Sequence, residues 1–352
     1  MSAASPVCLG IIANPVSARD VRRVLSHAAG LTLGERANML LRLVHTVAAC
    51  GIDQLWLMPE REGLRALLER QLQRAHPPHP LPRLHWLDMP ISGNAADTAQ
   101  AARLLHEREV KAILVFGGDG THRIVAKHCG HTPIVAISSG TNNAFPPLRE
   151  ITVTALAAAL FAQGRIPPAV ALRANKALRV CRQDADGTVS REDLALVDIG
   201  ILNEQILGAK AIADTDTLRT IVVTQASPEA VGLSAVPAML QPLARHDAGG
   251  LVVELQPALG ARAAAVPAPQ HVLAALAPGL LAELAVLAWY PLTADTPYRL
   301  HGQAGLLALD GERELSFDAG QHISIALQEN AFFTLDVPAC LDYAARRHLL
   351  LY

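Results

Sequence analysis

The first half of the chain alternates short apolar runs with segments whose apolar residues recur at helical spacing. Strand-length apolar runs occupy residues 8–13, 53–58, 84–89, 112–116 and 133–138. Helical patterns occupy residues 18–28, 35–50, 61–75, 94–108, 121–129 and 153–164. Alternating strands and helices predict a parallel sheet that is covered by helices on both faces.

The pattern changes at residues 164–170, GRIPPAV, where two adjacent prolines indicate a boundary. Beyond it the apolar runs have strand length, and Asp186-Gly187 is a turn signal. These candidate strands cover residues 171–183, 194–202, 219–225, 249–256, 305–311, 313–317 and 322–328. We expect an α/β domain over 1–165, a mostly antiparallel β domain over 166–330, and a tail over 331–352 that packs back on the first domain.

The longest apolar region covers residues 272–292. Pro278 and Glu283 interrupt it, whereas a membrane span needs about 20 clean apolar residues. We therefore interpret it as buried core, and its periodicity does not distinguish helix from strand.

Composition narrows the classes of partner. The chain has 352 residues, is 51% apolar and 18% charged, and carries a formal net charge of −2. This balance gives no electrostatic case for binding nucleic acid or an anionic membrane, so any phosphate binding must come from local geometry. The five scattered cysteines and the lack of a secretory pattern favour a cytoplasmic protein.

The candidate chemistry begins at GGDGT, which follows the fourth apolar run. Gly117, Gly118 and Gly120 allow main chain to approach a ligand closely, and their N–H groups together with a helix N-terminus suit phosphate. Asp119 would hold Mg²⁺ or accept a proton from a hydroxyl that attacks a phosphoryl group. Thr121 would cap the helix or bind a phosphate oxygen. The alternative is a plain strand–turn–helix corner.

Polar residues at two other strand ends favour a binding site over a plain turn. Asn14 and Ser17 follow the first apolar run, and five small or polar residues follow the fifth: Ser139, Gly140, Thr141, Asn142 and Asn143. Because ligands bind at the carboxyl ends of parallel strands, we expect these residues to line one phosphate-handling cleft.

Several further residues admit two interpretations. Asp310 and Glu312 would either bring carboxylates to the cleft or form a solvated turn. We interpret Asp97 as a first-turn charge favoured by the helix dipole. We interpret His122 as a surface residue at a helix start, and Arg123 as added positive charge near the phosphates.

At these motifs the sequence resembles the superfamily of NAD kinases, diacylglycerol and sphingosine kinases, and 6-phosphofructokinases. The resemblance is carried by GGDGT, by NPVS upstream and by SSGTNNAFP downstream. Residues 305–314 and 226–242 are similar to segments of NAD-kinase β-domains. The greatest overall likeness is to the acetoin-catabolism X proteins, a bacterial branch of the ATP-NAD kinase family.

The resemblance implies a two-domain fold with the active site in the cleft between the domains. It implies that residues 117–121 hold NAD or ATP phosphates, and that Asp119 is the base or metal-linked carboxylate that activates the adenosine-ribose 2′-hydroxyl. Asn14 and residues 140–143 would line the nucleotide site. ATP, NAD and Mg²⁺ are the implied cofactors.

The chain also departs from the family pattern. NAD kinases carry an Asn followed by an acidic residue where this chain has Val197 and Asp198. Asp198 would replace the acidic member, although Asn203-Glu204 leaves the register open. Little remains of the Gly-Ser-Thr run beyond Gly232 and Ser234.

The first functional hypothesis is therefore phosphoryl transfer from ATP, or from polyphosphate, to the 2′-hydroxyl of NAD(H), linked to acetoin catabolism. The alternatives are a lipid kinase and a non-catalytic NAD-binding or nucleotide-binding regulator. We expect nucleotides as the small-molecule partners, no nucleic acid or membrane partner, and a homo-oligomer that is a dimer or tetramer.

Overall fold

A computed structural model of the chain describes residues 6–14, 31–75, 78–139, 143–203, 217–256, 270–311 and 313–351. These residues divide into two compact units. The first comprises the described residues up to 174 together with 332–351, and the second comprises those from 175 to 331.

The first unit is built on a parallel sheet. Its strands run in the order β3-β2-β1-β4-β5, and all four adjacent pairs are parallel. Their bounds are β1 (Cys8–Ala13), β2 (Gln54–Leu57), β3 (Arg83–Trp86), β4 (Ile113–Gly117) and β5 (Ile134–Ser138). All five predicted strands are confirmed, although the third ends three residues before the predicted Met89.

In the described segments, four helices connect these strands, and two more follow β5. Their bounds are α1 (Leu33–Ala49), α2 (Leu64–Arg74), α3 (Ala95–Glu107), α4 (Asp119–His128), α5 (Ile151–Ala162) and the short α6 (Pro168–Ala171). Helix α1 begins with a capping box, in which the Glu35 N–H donates to the Thr32 hydroxyl and the Thr32 N–H donates to the Glu35 carboxylate. The predicted helix at 18–28 lies outside the described residues.

The second unit is antiparallel. One sheet has seven strands in the order β11-β12-β10-β9-β8-β14-β15, and helix α7 (Ala235–Leu240) packs against β11. The strand bounds are β6 (Leu172–Gln183), β7 (Val189–Ala195), β8 (Asp198–Leu202), β9 (Leu218–Val223), β10 (Gly250–Leu255), β11 (Gln270–Ala277), β12 (Leu280–Leu292), β13 (Tyr298–Leu300), β14 (Gly305–Leu309), β15 (Arg313–Phe317) and β16 (His322–Leu335). The predicted fold class, a parallel α/β domain followed by a mostly antiparallel β domain, is confirmed.

One predicted strand, 194–202, is in fact two. Strands β7 and β8 are separated at Leu196 and Val197. The predicted turn at Asp186-Gly187 is confirmed, because it connects the antiparallel pair β6 and β7 and Gly187 has a φ of +84°.

The apolar region 272–292 forms a hairpin of β11 and β12, and the prediction that it is buried core is wrong for half of its side chains. Val272 and Val286 are buried, whereas Leu273 and Leu281 are 60% and 64% exposed. Successive side chains of a strand point to opposite faces, and here only one face meets the core. Among the described residues, no helix has the length and apolarity that crossing a membrane requires.

The C-terminal helix α8 (Val337–Arg346) belongs to the first unit. Val337, Cys340 and Ala344 are buried in the core that also contains the alanines of α5. Asp336 caps the helix by accepting from the Ala339 N–H at 3.0 Å. Strand β16 also ends in this unit, where Thr334 pairs with Ile134 of β5 in parallel orientation.

All five cysteines are free thiols. Burial raises the pKa of the Cys129 and Cys340 thiols to about 12. Thiols of this kind are unreactive at neutral pH, since the thiolate is the nucleophile.

Candidate nucleotide-binding site

The glycine-rich segment forms the corner between β4 and α4. Gly117 ends the strand, and Gly118 is the N-cap of the helix in extended conformation. A Cβ at residue 117 would lie 2.4 Å from the Thr121 Cβ. Glycine is therefore required at 117 because the first turn of α4 packs directly on its own strand, a requirement that exists without any ligand.

Asp119 is the first residue of α4 and is only 4% exposed. Its two carboxylate oxygens accept hydrogen bonds from the backbone N–H groups of Ala144 and Phe145, at 3.0 and 2.9 Å. The carboxylate thus holds the segment after β5 against the start of α4, where the helix dipole also favours its negative charge. The sequence suggested a metal ion or a hydroxyl proton as its partner, and the structure adds main-chain donors.

The end of β5 lies beside this corner. The Ser139 N–H donates to the Gly117 carbonyl at 3.3 Å, and the Asn143 amide donates to the Ser138 hydroxyl at 2.8 Å. Ser139 is buried, and within the described part of the chain its hydroxyl has no hydrogen-bond partner. Such a hydroxyl carries an uncompensated desolvation cost that a ligand oxygen would relieve. Gly140, Thr141 and Asn142 lie outside the described residues.

Asn14 follows β1 and is 2% exposed. Its side-chain amide donates to the Asn94 carbonyl at 3.3 Å and to the Thr98 hydroxyl at 3.1 Å. Both acceptors belong to the start of α3, so Asn14 joins the end of β1 to that helix. Ser17 lies outside the described residues.

The start of α3 is itself a polar cluster. Asn94 caps the helix by accepting from the Ala96 N–H at 2.8 Å. The buried Asp97 accepts from the Ser92 N–H and hydroxyl and from the Gly93 N–H. Burial alone would raise the pKa of this carboxyl, but these hydrogen bonds together outweigh burial and lower it. The interpretation of Asp97 as a simple first-turn charge is therefore incomplete.

His122 is fully buried, and the prediction of a surface histidine is wrong. Its Nδ1 lies 2.8 Å from the Gly118 carbonyl oxygen, which can only accept, so Nδ1 carries the proton. Its ring also contacts Phe145, with ring centroids 5.6 Å apart. Arg123 is likewise 2% exposed. Helix α4 therefore buries more of its first turn than its polar sequence suggests.

The second unit contains the other predicted acids. Asp310 is 2% exposed, and its carboxylate accepts from the backbone N–H groups of Leu196, Val197 and Asp198 at 2.8–3.2 Å. The solvated-turn interpretation of Asp310 is wrong, because its buried carboxylate caps the break between β7 and β8, whereas the interpretation as a cleft carboxylate stays a prediction. Asp198, the first residue of β8, is 5% exposed. Glu312 lies outside the described residues.

The first unit thus brings together the predicted Asn14, Gly117, Gly118, Asp119, Gly120, Thr121 and Asn143, because β1, β4 and β5 are adjacent parallel strands. Sequence reasoning missed Thr98, Ala144 and Phe145. Ala144 acts through its backbone N–H, so its side chain gives no indication of this role. The polar Asn94 and Thr98, which lie on a predicted helix start, were the available signal.

The residues at this site bear directly on the expected Mg²⁺. Among the described residues, no group of three or more His, Cys, Asp or Glu side chains is placed to hold a metal ion. A single carboxylate with nucleotide phosphates is a common Mg²⁺ arrangement, because the phosphates supply oxygen ligands. Asp119 fits that arrangement, whereas a cage built from protein ligands alone does not fit the described residues.

Comparison with known proteins identifies relatives of both halves. The family model of the ATP-NAD kinase N-terminal domain matches residues 9–166, and that of the acetoin catabolism protein X C-terminal domain matches residues 176–330. Acetoin catabolism protein X of Cupriavidus necator is 45% identical over 343 residues, which cover 97% of this chain and 93% of that protein.

Solved structures give the fold. Yeast NADH kinase, crystallised in complex with NADH, superposes with a TM-score of 0.55 at 12% identity, covering 97% of this chain and 87% of its own. A Bacillus anthracis protein described as a candidate diacylglycerol kinase superposes with a TM-score of 0.46 at 13% identity, covering 95% and 98%. At these identities the yeast structure shows a shared fold, and the second likeness is too weak to carry an argument.

Proposed function

Because the chain belongs to the acetoin catabolism protein X family, and because its residues 9–166 match the ATP-NAD kinase N-terminal domain, we propose that it transfers a phosphoryl group from ATP to the 2′-hydroxyl of NAD or NADH. The link to acetoin catabolism rests on this same family relationship.

The observation that carries the proposal is the arrangement at the carboxyl ends of β1, β4 and β5. The main chain of residues 117–120, the N-terminus of α4 and the buried Ser139 hydroxyl lie at adjacent strand ends. Backbone N–H groups at a helix N-terminus, with a hydroxyl donor beside them, are suited to phosphate oxygens. This supports nucleotide binding at the first unit.

Asp119 is the proposed catalytic residue. Its hydrogen bonds to Ala144 and Phe145 fix the carboxylate in one position, and a general base must be held within hydrogen-bond reach of the proton it removes. When bound, Mg²⁺ neutralises charge on the phosphates during transfer. Asp119 would be its protein ligand, or would accept the proton of the ribose hydroxyl.

A non-catalytic NAD-binding regulator is the second candidate, and the same contacts favour it. A carboxylate engaged by two main-chain donors already has a structural role, and Val197 lacks the amide that NAD kinases carry at the matching position. The two candidates differ in one outcome: both bind NAD, and only the kinase converts it to NADP.

The test is incubation of the full chain with ATP, Mg²⁺ and a panel of NAD, NADH and lipid acceptors, with products identified by mass spectrometry. We expect phosphorylated NAD or NADH. In Asp119→Asn we expect product formation to fall by about 10²- to 10⁴-fold, the usual contribution of a general base, with NAD binding retained. Asp342→Asn, at an exposed acid of α8, is the matched control and should leave activity unchanged.

Two results would overturn the kinase proposal. Tight NAD binding without NADP formation, across phosphate donors and divalent metals, would support the regulator. A phosphorylated lipid as the main product would support the lipid kinase. Thermal unfolding of Asp119→Asn must accompany the assay, since loss of the contacts to Ala144 and Phe145 would also lower stability.

The proposal includes self-association. The outward face of the β11–β12 hairpin carries large apolar side chains that are more than a third exposed: Leu273, Leu281 and Leu287. Exposed apolar patches of this kind mark interaction sites. We propose that a second copy of the chain binds this patch.

Light scattering should report a dimer or a larger assembly, and the double substitution Leu273→Glu with Leu281→Glu should shift the protein toward monomer. Leu148→Glu, at an exposed leucine of the first unit, should not; a wild-type monomer at all concentrations would refute self-association.

A further inference from the structure

Two histidines face each other across the antiparallel pair of β13 and β16. Leu300 ends β13 and pairs with Ile323 of β16, so the next residues in register are His301 and His322. Their Nδ1 atoms are 2.8 Å apart, and their rings meet edge to face with centroids at 4.8 Å.

This pair lies on the outward face of the two strands. Leu300 and Ile323 are 7% and 1% exposed and belong to the core of the second unit. Because side chains alternate along a strand, the neighbouring His301 and His322 point away from that core. His301 is exposed and His322 half-buried, so solvent ions have access to the pair.

We propose that His301 and His322 form a binding site for a divalent late transition ion, with Cu²⁺ and Ni²⁺ favoured over Zn²⁺. Imidazole nitrogens bind such ions at about 2.0–2.1 Å. Two nitrogens in adjacent positions of a square-planar ion are then about 2.9 Å apart, and in a tetrahedral ion about 3.3 Å. The observed 2.8 Å matches the square-planar separation that Cu²⁺ and Ni²⁺ adopt.

Binding requires a change of tautomer and a turn of the rings that directs both Nδ1 lone pairs at one ion. In the metal-free pair, one Nδ1 donates its proton to the other Nδ1. A metal ion needs both Nδ1 lone pairs, so the donor ring must carry its proton on Nε2 instead. The neutral pair therefore takes up the ion without net release of a proton.

The charge next to the histidine pair affects its affinity for a metal ion. Arg299 pairs with Ser324, and each lies two residues along its strand from a histidine, which places both on the same face as the histidines. The positive charge of Arg299 opposes a cation, so the affinity must come from the two imidazole bonds. The site lies in the second unit and shares no residue with the proposed nucleotide-binding residues, so it stands independently of the kinase proposal.

A bound ion would join β13 to β16 in the folded chain alone. Any ligand that binds only the folded state stabilises it, by an amount that grows with the logarithm of the ligand concentration once that exceeds the dissociation constant. Metal binding at this pair should therefore raise the unfolding temperature of the whole protein.

The test is calorimetric and spectroscopic titration of the full chain with Cu²⁺, Ni²⁺ and Zn²⁺. We expect a Cu²⁺ site whose electron paramagnetic resonance spectrum shows two nitrogen ligands. The substitutions His301→Ala and His322→Ala should each lower the Cu²⁺ affinity by at least about tenfold. Losing an outer-shell partner of a metal ligand already costs that much, and these residues are the ligands themselves. The metal-induced rise in unfolding temperature should vanish with the site.

Two further variants separate loss of the metal site from a general loss of histidine or of stability. His271→Ala removes another exposed histidine of the second unit, one that pairs with Glu283, and should leave the Cu²⁺ site intact. His322→Gln keeps a hydrogen-bonding side chain beside His301 and should abolish the site without lowering the metal-free unfolding temperature. Unchanged stoichiometry and affinity in the His301→Ala/His322→Ala double variant would overturn the proposal.

Discussion

At two turns of the molecule, one in each unit, a buried aspartate carboxylate accepts hydrogen bonds from main-chain N–H groups. In the first unit, the Asp119 carboxylate accepts from the N–H groups of Ala144 and Phe145; in the second, the Asp310 carboxylate accepts from those of Leu196, Val197 and Asp198. Both acids are nearly fully buried. Burial and hydrogen bonding therefore do not distinguish a catalytic acid from a structural one.

The positions of the two acids in the fold differ. Asp119 begins a ten-residue helix at the carboxyl ends of parallel strands, where ligands bind in such sheets. Asp310 follows β14 in an antiparallel sheet, with a φ of +48°. We infer that Asp310 stabilises the fold, and that Asp119 serves both the fold and a ligand.

The largest effect on stability should come from Asp310→Ala. The substitution leaves three buried N–H groups without their acceptor, and each such group costs about 1–3 kcal/mol. We expect the free energy of unfolding to fall by at least about 3 kcal/mol in urea titrations. A loss below about 1 kcal/mol would mean that water or another acceptor replaces the carboxylate.

Gly117→Ala should have the next largest effect. The new Cβ would lie 2.4 Å from the Thr121 Cβ, so strand and helix must separate, at a cost of about 1–3 kcal/mol for overpacking. Gly34→Ala is the matched control, because Gly34 lies in helix α1 with no atom within 4 Å of an added Cβ. Thermal unfolding should show a loss for the first and no loss for the second; equal effects would contradict the close packing at 117.

A smaller effect should appear in the pH dependence of stability. The Asp97 pKa is lowered in the folded state, so its ionised form stabilises the fold. That stability is complete above the pKa of an unfolded aspartate, about 3.9, and is lost as pH falls through the lowered folded value. Urea titrations from pH 6 to pH 2.5, an acid range chosen to span these values, should show a shallower decline in Asp97→Asn than in wild type. Parallel curves would show that the hydrogen bonds of Asp97 do not favour its charged form.

The sequence predicted the central strands of the first unit well because β1, β4 and β5 are short apolar runs, such as 113–117, that are largely buried on both faces of a parallel sheet. The location of the glycine-rich corner followed from the same pattern. The hairpin at 270–292 was misjudged because leucines occupy both of its faces, so that composition did not reveal which face is exposed.

The partners of the acids were beyond sequence reasoning for a different reason. Ala144 and Phe145 are 25 and 26 residues from Asp119, and Leu196 is 114 residues from Asp310. They act through main-chain N–H groups, which every residue except proline has. Only the tertiary fold determines which N–H groups meet a given carboxylate, and the same holds for the burial of His122.

The most direct test of the central claim is a crystal structure of the full chain with bound NADH. We expect the phosphates to lie against the main chain of residues 118–120, within hydrogen-bond distance of the Ser139 hydroxyl, and the ribose 2′-hydroxyl to lie within reach of Asp119. Nucleotide bound elsewhere, with residues 118–120 making no contact to it, would contradict the account.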